Sequence, residues 1–134
     1  MATQIIRKSI EQNRAKYAWQ YAQESKPEEG KPETALQKKY KSHVREFPML
    51  VLTCGLVNAV AFANEKGEGD KGWKLIYEHL EKWLKTDSGQ NTLDLDNNKL
   101  LPALLTIPPN DTQKLRYLTN ETISLFTWLK RFVS

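Results

Sequence analysis

Few side chains in this sequence are suited to metal binding or nucleophilic catalysis. The candidates are one cysteine, Cys54, and two histidines, His43 and His79. Neither histidine has a second His or Cys at ligand spacing, so both are expected to be structural. Cys54 lies within the apolar run M-L-V-L-T-C-G-L, where a buried and unreactive thiol is expected. We therefore predict that the protein is not an enzyme and has neither a metal site nor a cofactor.

Two short motifs have part of the spacing of ligand-binding loops. Residues 67–72, G-E-G-D-K-G, match the glycine spacing of a phosphate-binding loop. However, a helix-like apolar run precedes them instead of a strand, and their acidic side chains would repel a phosphate. Residues 94–98, D-L-D-N-N, match the start of a calcium loop, but Lys99 stands where the turn needs glycine and Leu105 where the ion needs glutamate. We interpret both as surface turns.

Two basic helix faces remain as candidates for nucleic-acid binding. Lys38, Lys41 and Arg45 recur at helical spacing on the second predicted helix. On the last one, cations and polar side chains share the side opposite a leucine seam: Arg116, Asn120, Ser124, Thr127, Lys130 and Arg131. Cations among hydroxyl and amide groups can bind successive phosphate oxygens without reading bases. An ordinary solvated surface is the alternative explanation.

The first predicted helix adds two further candidates. Arg14 borders its apolar stripe and could contact RNA. Trp19 points to the polar side, where it could stack on a base or anchor a partner protein, and we predict that it is a partner-binding residue. Another helix covering Trp19 would also explain its position.

Composition and charge place the chain in a broad class. Its 134 residues suit one domain, and its net charge of +4 is unevenly spread, with basic ends and an acidic middle. This asymmetry points weakly to a polyanionic partner. A single cysteine, no secretory signal and no apolar run long enough to cross a membrane predict a soluble, cytoplasmic protein.

The hydrophobic pattern predicts the elements that must position these residues. Apolar side chains recur at helical spacing in successive segments, and no sustained two-residue alternation is present. We predict an all-α fold, a compact single-domain antiparallel bundle of about five or six helices. The expected loops lie at about residues 25–33, 64–72 and 86–98. Thr34 is the predicted N-cap of the second helix, Asn110 or Asp111 that of the last, and Pro48 is expected to kink the chain or start a new helix.

Three stretches of the sequence resemble one protein family. They are F-P-M-L-V-L-T-C-G-L-V-N-A-V-A-F at residues 47–62, W-K-L-I-Y-E-H-L-E-K-W-L at 73–84 and Y-L-T-N-E-T-I-S-L-F-T-W-L-K-R-F at 117–132. In this order they resemble the small, all-helical subunit of the Cmr complex, the type III-B CRISPR effector. The closing W-L-K-R-F is the most distinctive stretch.

This resemblance implies a non-catalytic subunit that stacks in several copies within an RNA-guided ribonucleoprotein. Its partners would be the other subunits, copies of itself, the guide RNA and a single-stranded target RNA. Lys130 and Arg131 carry over from the motif as candidate RNA contacts. The alternative function is a protein-interaction adaptor without nucleic-acid contact. A helical DNA-binding regulator fits less well, because no helix-turn-helix is visible.

Overall fold

The computed structural model describes residues 2–85 and 99–133, and side chains within residues 11–84 and 99–133. In this part of the chain the fold is all-α, as predicted, and contains six helices. They are α1 (Ala2–Glu24), α2 (Ala35–Cys54), α3 (Leu56–Lys66), α4 (Lys71–Lys85), α5 (Leu100–Leu105) and α6 (Thr112–Val133). The predicted loop at residues 86–98, with its calcium-like motif, lies outside the described residues.

Helices α2 and α6 form the centre of the bundle. Helix α6 packs against α1, α2 and α3, while α2 also packs against α3 and α4, and α5 lies on α3. At the α2–α6 contact, the ring centroids of Phe47 and Phe126 are 4.8 Å apart. Large side chains that are buried almost completely fill the interior: Tyr40, Phe47, Ile76, Leu80, Trp83, Leu118, Leu125, Phe126 and Leu129.

Side-chain caps define the starts of three helices. Thr34 and Gln37 form a reciprocal capping box at the start of α2, as Thr34 was predicted to do. Asp111 accepts a hydrogen bond from the Lys114 amide and caps α6. Asp70 accepts hydrogen bonds from the amides of Gly72 and Trp73 at the start of α4. Each cap satisfies backbone donors that the helix itself leaves unpaired.

No new helix begins at Pro48, so that one of the two predicted alternatives was wrong, and the break between helices occurs seven residues later. Helix α2 continues through Pro48 and ends at Cys54, and α3 begins directly after Gly55. Gly55 has φ 87° and ψ 159°, a conformation that essentially only glycine adopts. The Asn58 side-chain amide donates to the Cys54 carbonyl and satisfies one of the acceptors left unpaired at the end of α2.

The loop predicted at residues 64–72 is shorter in the structure. Helix α3 extends to Lys66 and α4 begins at Lys71, so the turn covers only residues 67–70. Gly72 already lies inside α4, where a Cβ atom would approach Cδ2 of His43 to 2.9 Å. The second half of the glycine motif therefore serves close helix packing. The predicted loop at 25–33 is confirmed.

Glu121 of α6 joins three helices through its buried carboxylate. The Arg14 guanidinium of α1 donates to both oxygens, with distances of 2.9 Å and 2.8 Å. The Trp83 indole of α4 donates to Oε1 at 3.0 Å. Such a two-pronged, charge-assisted pair fixes both distance and orientation. It orients α1 on α6, against which α1 packs most extensively.

A second polar cluster ties α1, α2 and α4 together around His79. The His79 ring stacks on Tyr21 with 4.4 Å between centroids, Nδ1 lies 2.6 Å from the Tyr40 hydroxyl, and Nε2 lies 3.2 Å from Glu24. Burial raises the pKa of Tyr40, so its hydroxyl stays protonated and donates a hydrogen bond to Nδ1 of His79. Nε2 then carries the ring proton and donates to the Glu24 carboxylate.

Glu121→Gln is expected to lower the free energy of unfolding by about 3 kcal/mol, because it leaves the mostly buried Arg14 guanidinium without its counter-ion. Urea denaturation at constant m-value measures the change. Glu46→Gln, at an exposed carboxylate on α2, is the matched control and should change stability by about 0.5 kcal/mol or less. Equal losses in the two variants would contradict a central role for Glu121.

His79 should make stability depend on pH. Burial lowers its pKa below the usual 6.5, against the opposing pull of the Glu24 carboxylate. The unfolded chain therefore protonates this residue at higher pH, so the free energy of unfolding should decline as pH falls through about 6.5. His79→Gln should reduce that decline, and Glu24→Gln, which removes the opposing charge, should deepen it. Urea titrations from about pH 8 to about pH 5 measure both, and an unchanged decline in His79→Gln would disprove the assignment.

Candidate nucleic-acid interface

The basic face of α2 lies on the side away from α4. Lys38 and Arg45 are exposed and Lys41 is partly exposed. His43 stacks on Trp73 of α4 with 4.1 Å between ring centroids. Lys41 is two residues from His43, about 200° around the helix, and so points away from that contact. None of these three cations forms an ion pair with a carboxylate in the described part of the chain.

Lys130 of α6 is exposed but does not adjoin the basic face of α2. It follows Phe126 by one helical turn and therefore lies on the side of α6 that meets α2 through Phe47. Arg45 lies two residues before Phe47, about 200° around the helix, and so points away from that contact, as do Lys38 and Lys41 on the same face. These three cations form a surface of their own, which we call the α2 basic face.

The remaining α6 candidates are spread along their helix. Arg116 is exposed but ten residues from Phe126, about 15 Å along the axis. Arg131 is exposed and its guanidinium lies over the Trp128 ring, 5.3 Å from the centroid. Trp128 and Arg131 line a small cavity between α1 and α6, of about 180 Å³. The Thr127 hydroxyl donates to the Ile123 carbonyl of its own helix, so that donor is already used.

Arg14 already has a partner in the structure. Its guanidinium is bound to Glu121, and only 15% of its side chain is exposed. Its predicted contact with RNA stays a prediction, and the α2 basic face does not depend on it. Sequence reasoning missed Glu121, although the pattern held a signal: an acid flanked by Leu118, Thr122 and Leu125 falls on the apolar side of the helix and needs a buried partner.

Trp19 is 49% exposed, as its place on the polar side of α1 suggested. Its ring meets the Phe132 ring of α6 edge to face, with 5.3 Å between centroids. The Lys26 ammonium lies over the Trp19 ring, 5.4 Å from its centroid. Lys26 was not among the predicted site residues, because a lysine in a polar loop carries no periodic signal.

The residues examined for catalysis and metal binding have structural contacts. His43 Nε2 lies 3.0 Å from Asp70, whose carboxylate also caps α4. Burial acts to raise the pKa of Asp70, but hydrogen bonds from His43 and Gly72 hold it below its usual value. Cys54 was expected to be buried and is exposed instead, because it is the last residue of α2 and lies beyond the last buried position, Val51.

Within the described residues there is neither a candidate metal site nor a helix that could span a membrane. No group of three or more His, Cys, Asp or Glu side chains in this part of the chain could hold a metal ion. None of its helices is long and apolar enough to cross a membrane.

One family model matches the chain. Residues 10–134 match the model described as CRISPR-associated protein (Cas_Cmr5). The match spans every predicted site residue from Arg14 to Arg131, and so includes the α2 basic face.

Proposed function

The chain belongs to the Cas_Cmr5 family of CRISPR-associated proteins and is thus a subunit of a type III-B Cmr complex, and from that premise we propose its role in the complex. It is a non-catalytic small subunit whose basic helix faces line the path of the guide and target RNA. Copies of the chain stack beside one another and beside the other Cmr subunits in the cytoplasm, and the complex serves antiviral defence.

The α2 basic face is the observation that carries this proposal. Lys38 and Arg45 are exposed and Lys41 is partly exposed, and none of the three forms an ion pair with a carboxylate in the described part of the chain. Cations of this kind can neutralise phosphates, and each neutralised phosphate releases counter-ions. Such contacts suit an RNA path along which sequence is read by base pairing and not by the protein, because phosphate contacts carry no sequence information.

The contacts of the histidines support the non-catalytic role. His79 is bound by Tyr40 and Glu24, and His43 is held by Asp70 and Trp73. Both rings are therefore engaged in packing and in fixing helices to one another. In the described residues neither ring has a nucleophile beside it that would form a catalytic pair.

A protein-interaction adaptor is the second candidate function, favoured by exposed apolar side chains. Met49 and Leu52 on α2 are 65% and 67% exposed, and Leu105 on α5 is 66% exposed. Beside Met49 lies a shallow apolar cavity of about 300 Å³ that also includes Leu50, Cys54 and Phe62. Exposed apolar patches of this kind commonly mark contacts with other proteins. This surface suits contact with other Cmr subunits.

The triple variant Lys38→Gln, Lys41→Gln, Arg45→Gln is expected to weaken binding of single-stranded RNA and to reduce its salt dependence. The slope of log K against log salt should become shallower by about 2, the value for three lost phosphate contacts on a single strand. Fluorescence anisotropy of a labelled RNA at several salt concentrations measures both quantities. The protein should be tested alone and within the assembled complex.

The matched control is Lys71→Gln, Lys74→Gln, Lys82→Gln, which removes the same charge from exposed positions on α4. It should change the slope much less, because these lysines lie on a different helix from the α2 basic face. Equal effects of the two triple variants would mean that net charge, and not the α2 basic face, determines binding. Loss of assembly with RNA binding intact would favour the adaptor.

A further inference from the structure

Three aromatic rings form a continuous row across the junction of α1 and α6. The Trp128 and Phe132 rings are stacked, with 5.6 Å between centroids and 26° between planes. The Phe132 ring in turn meets the Trp19 ring at 5.3 Å, edge to face. We call these three side chains the aromatic row. It joins the last two turns of α6 to the C-terminal half of α1.

The rings of the aromatic row are not fully buried in the core. Trp19 is 49% exposed, whereas Ala18, Tyr21 and Ala22 on the same helix supply the buried contacts. Trp128 and Phe132 are only partly buried. An indole ring that stays exposed to water does not gain the large favourable free energy that burial of its apolar surface would provide. A half-exposed tryptophan next to two further partly exposed rings is therefore a surface with a ligand to bind.

A cation lies at each end of the row. The Lys26 ammonium is 5.4 Å from the Trp19 centroid, and the Arg131 guanidinium is 5.3 Å from the Trp128 centroid. Lys130 adjoins Arg131 on the same helical turn. The cavity that Trp128 and Arg131 line also includes Glu11 and Arg14. Among the residues that line it, the two arginines outnumber the single acid.

This combination favours one chemical class of ligand. Unpaired bases offer flat π-faces joined by phosphates, and proteins that bind single strands use aromatic side chains within a positively charged groove. Paired bases in a duplex are stacked on each other and cannot reach such rings. A protein partner would also use tryptophan and arginine, but the positive charge at both ends of the row suits a polyanion better.

We propose that the aromatic row is a stacking platform for unpaired bases of single-stranded RNA, with Lys26 and Arg131 holding the adjoining phosphates. The proposal rests on the proposed function, since it names how the same subunit contacts RNA. It adds a base-dependent contact, insensitive to salt, to the phosphate contacts of the α2 basic face. The two contacts use different helices, so each can be removed separately.

Trp19→Leu in the full-length chain tests the platform, alone and in the assembled complex. The variant should bind a labelled single-stranded RNA about tenfold more weakly, the loss expected for one stacked base. Its slope of log K against log salt should equal that of the wild type, because no phosphate contact is lost. Trp19→Tyr retains a ring and should recover most of the affinity. Asn64→Ala, at an exposed position on α3 away from the aromatic row, should bind like the wild type.

An abasic ribose-phosphate strand of the same length supplies the second comparison. The wild type should bind it more weakly than RNA, and Trp19→Leu should bind it no differently from the wild type. Wild-type binding of the abasic strand as tight as that of RNA would overturn the platform. So would unchanged RNA binding by Trp19→Leu while the α2 triple variant loses affinity, a result that leaves the proposed function standing.

Two further outcomes separate the remaining possibilities. If Trp19→Leu fails to assemble with the other subunits yet binds RNA normally, the row is a protein contact and the platform is wrong. If neither the free chain nor the assembled complex binds RNA through this subunit, the platform and the proposed function fail together. Near-ultraviolet circular dichroism of each variant shows whether the tertiary packing is intact.

Discussion

The buried carboxylate of Glu121 determines how the outer helices sit on α6. A carboxylate removed from water must be paired, and here a guanidinium from α1 and an indole from α4 meet that need together. Apolar packing alone tolerates small rotations of a helix about its axis, whereas a bidentate ion pair allows only one orientation. Because Trp19 is five residues from Arg14, the orientation of α1 also determines where the aromatic row lies.

The charged residues serve two purposes. Some form the polar clusters of the core, and others form the cationic surface. Arg14, Glu24 and Glu121 are engaged inside or at the edge of the core, where they join α1 to its neighbours. The cations of α2 lie outside, on the side of the helix away from α4 and from the contact of Phe47 with Phe126. Packing of His43 on Trp73 and of Phe47 on Phe126 fixes the rotation of α2 and so holds its basic face toward solvent. The function proposed for the surface depends on packing beneath it.

Sequence patterns predicted most of the helices but not the contacts between them. Helical periodicity and the caps at Thr34 and Asp111 are local signals, and the structure bears them out. At Pro48 the local signal was misleading, because packing of Phe47 and Val51 on either side outweighs one lost backbone hydrogen bond. The pairing of Arg14 with Glu121 spans 107 residues and has no local signature. A helical wheel shows only positions on one helix, so it placed Arg14 at the border of a face but could not identify Glu121 as its partner.

The cap at Asp70 has a consequence for how this molecule discriminates among anions. The amides at the start of α4 already bind an anion, the carboxylate of Asp70, which the chain itself supplies. A ligand tethered this closely has an effective concentration on the order of millimolar or higher. Free phosphate or a nucleotide would have to displace it, and would gain little by doing so. Asp70 therefore competes with other anions for the N-terminus of α4. The groups that a polyanion can reach are then the long, mobile side chains of lysine and arginine.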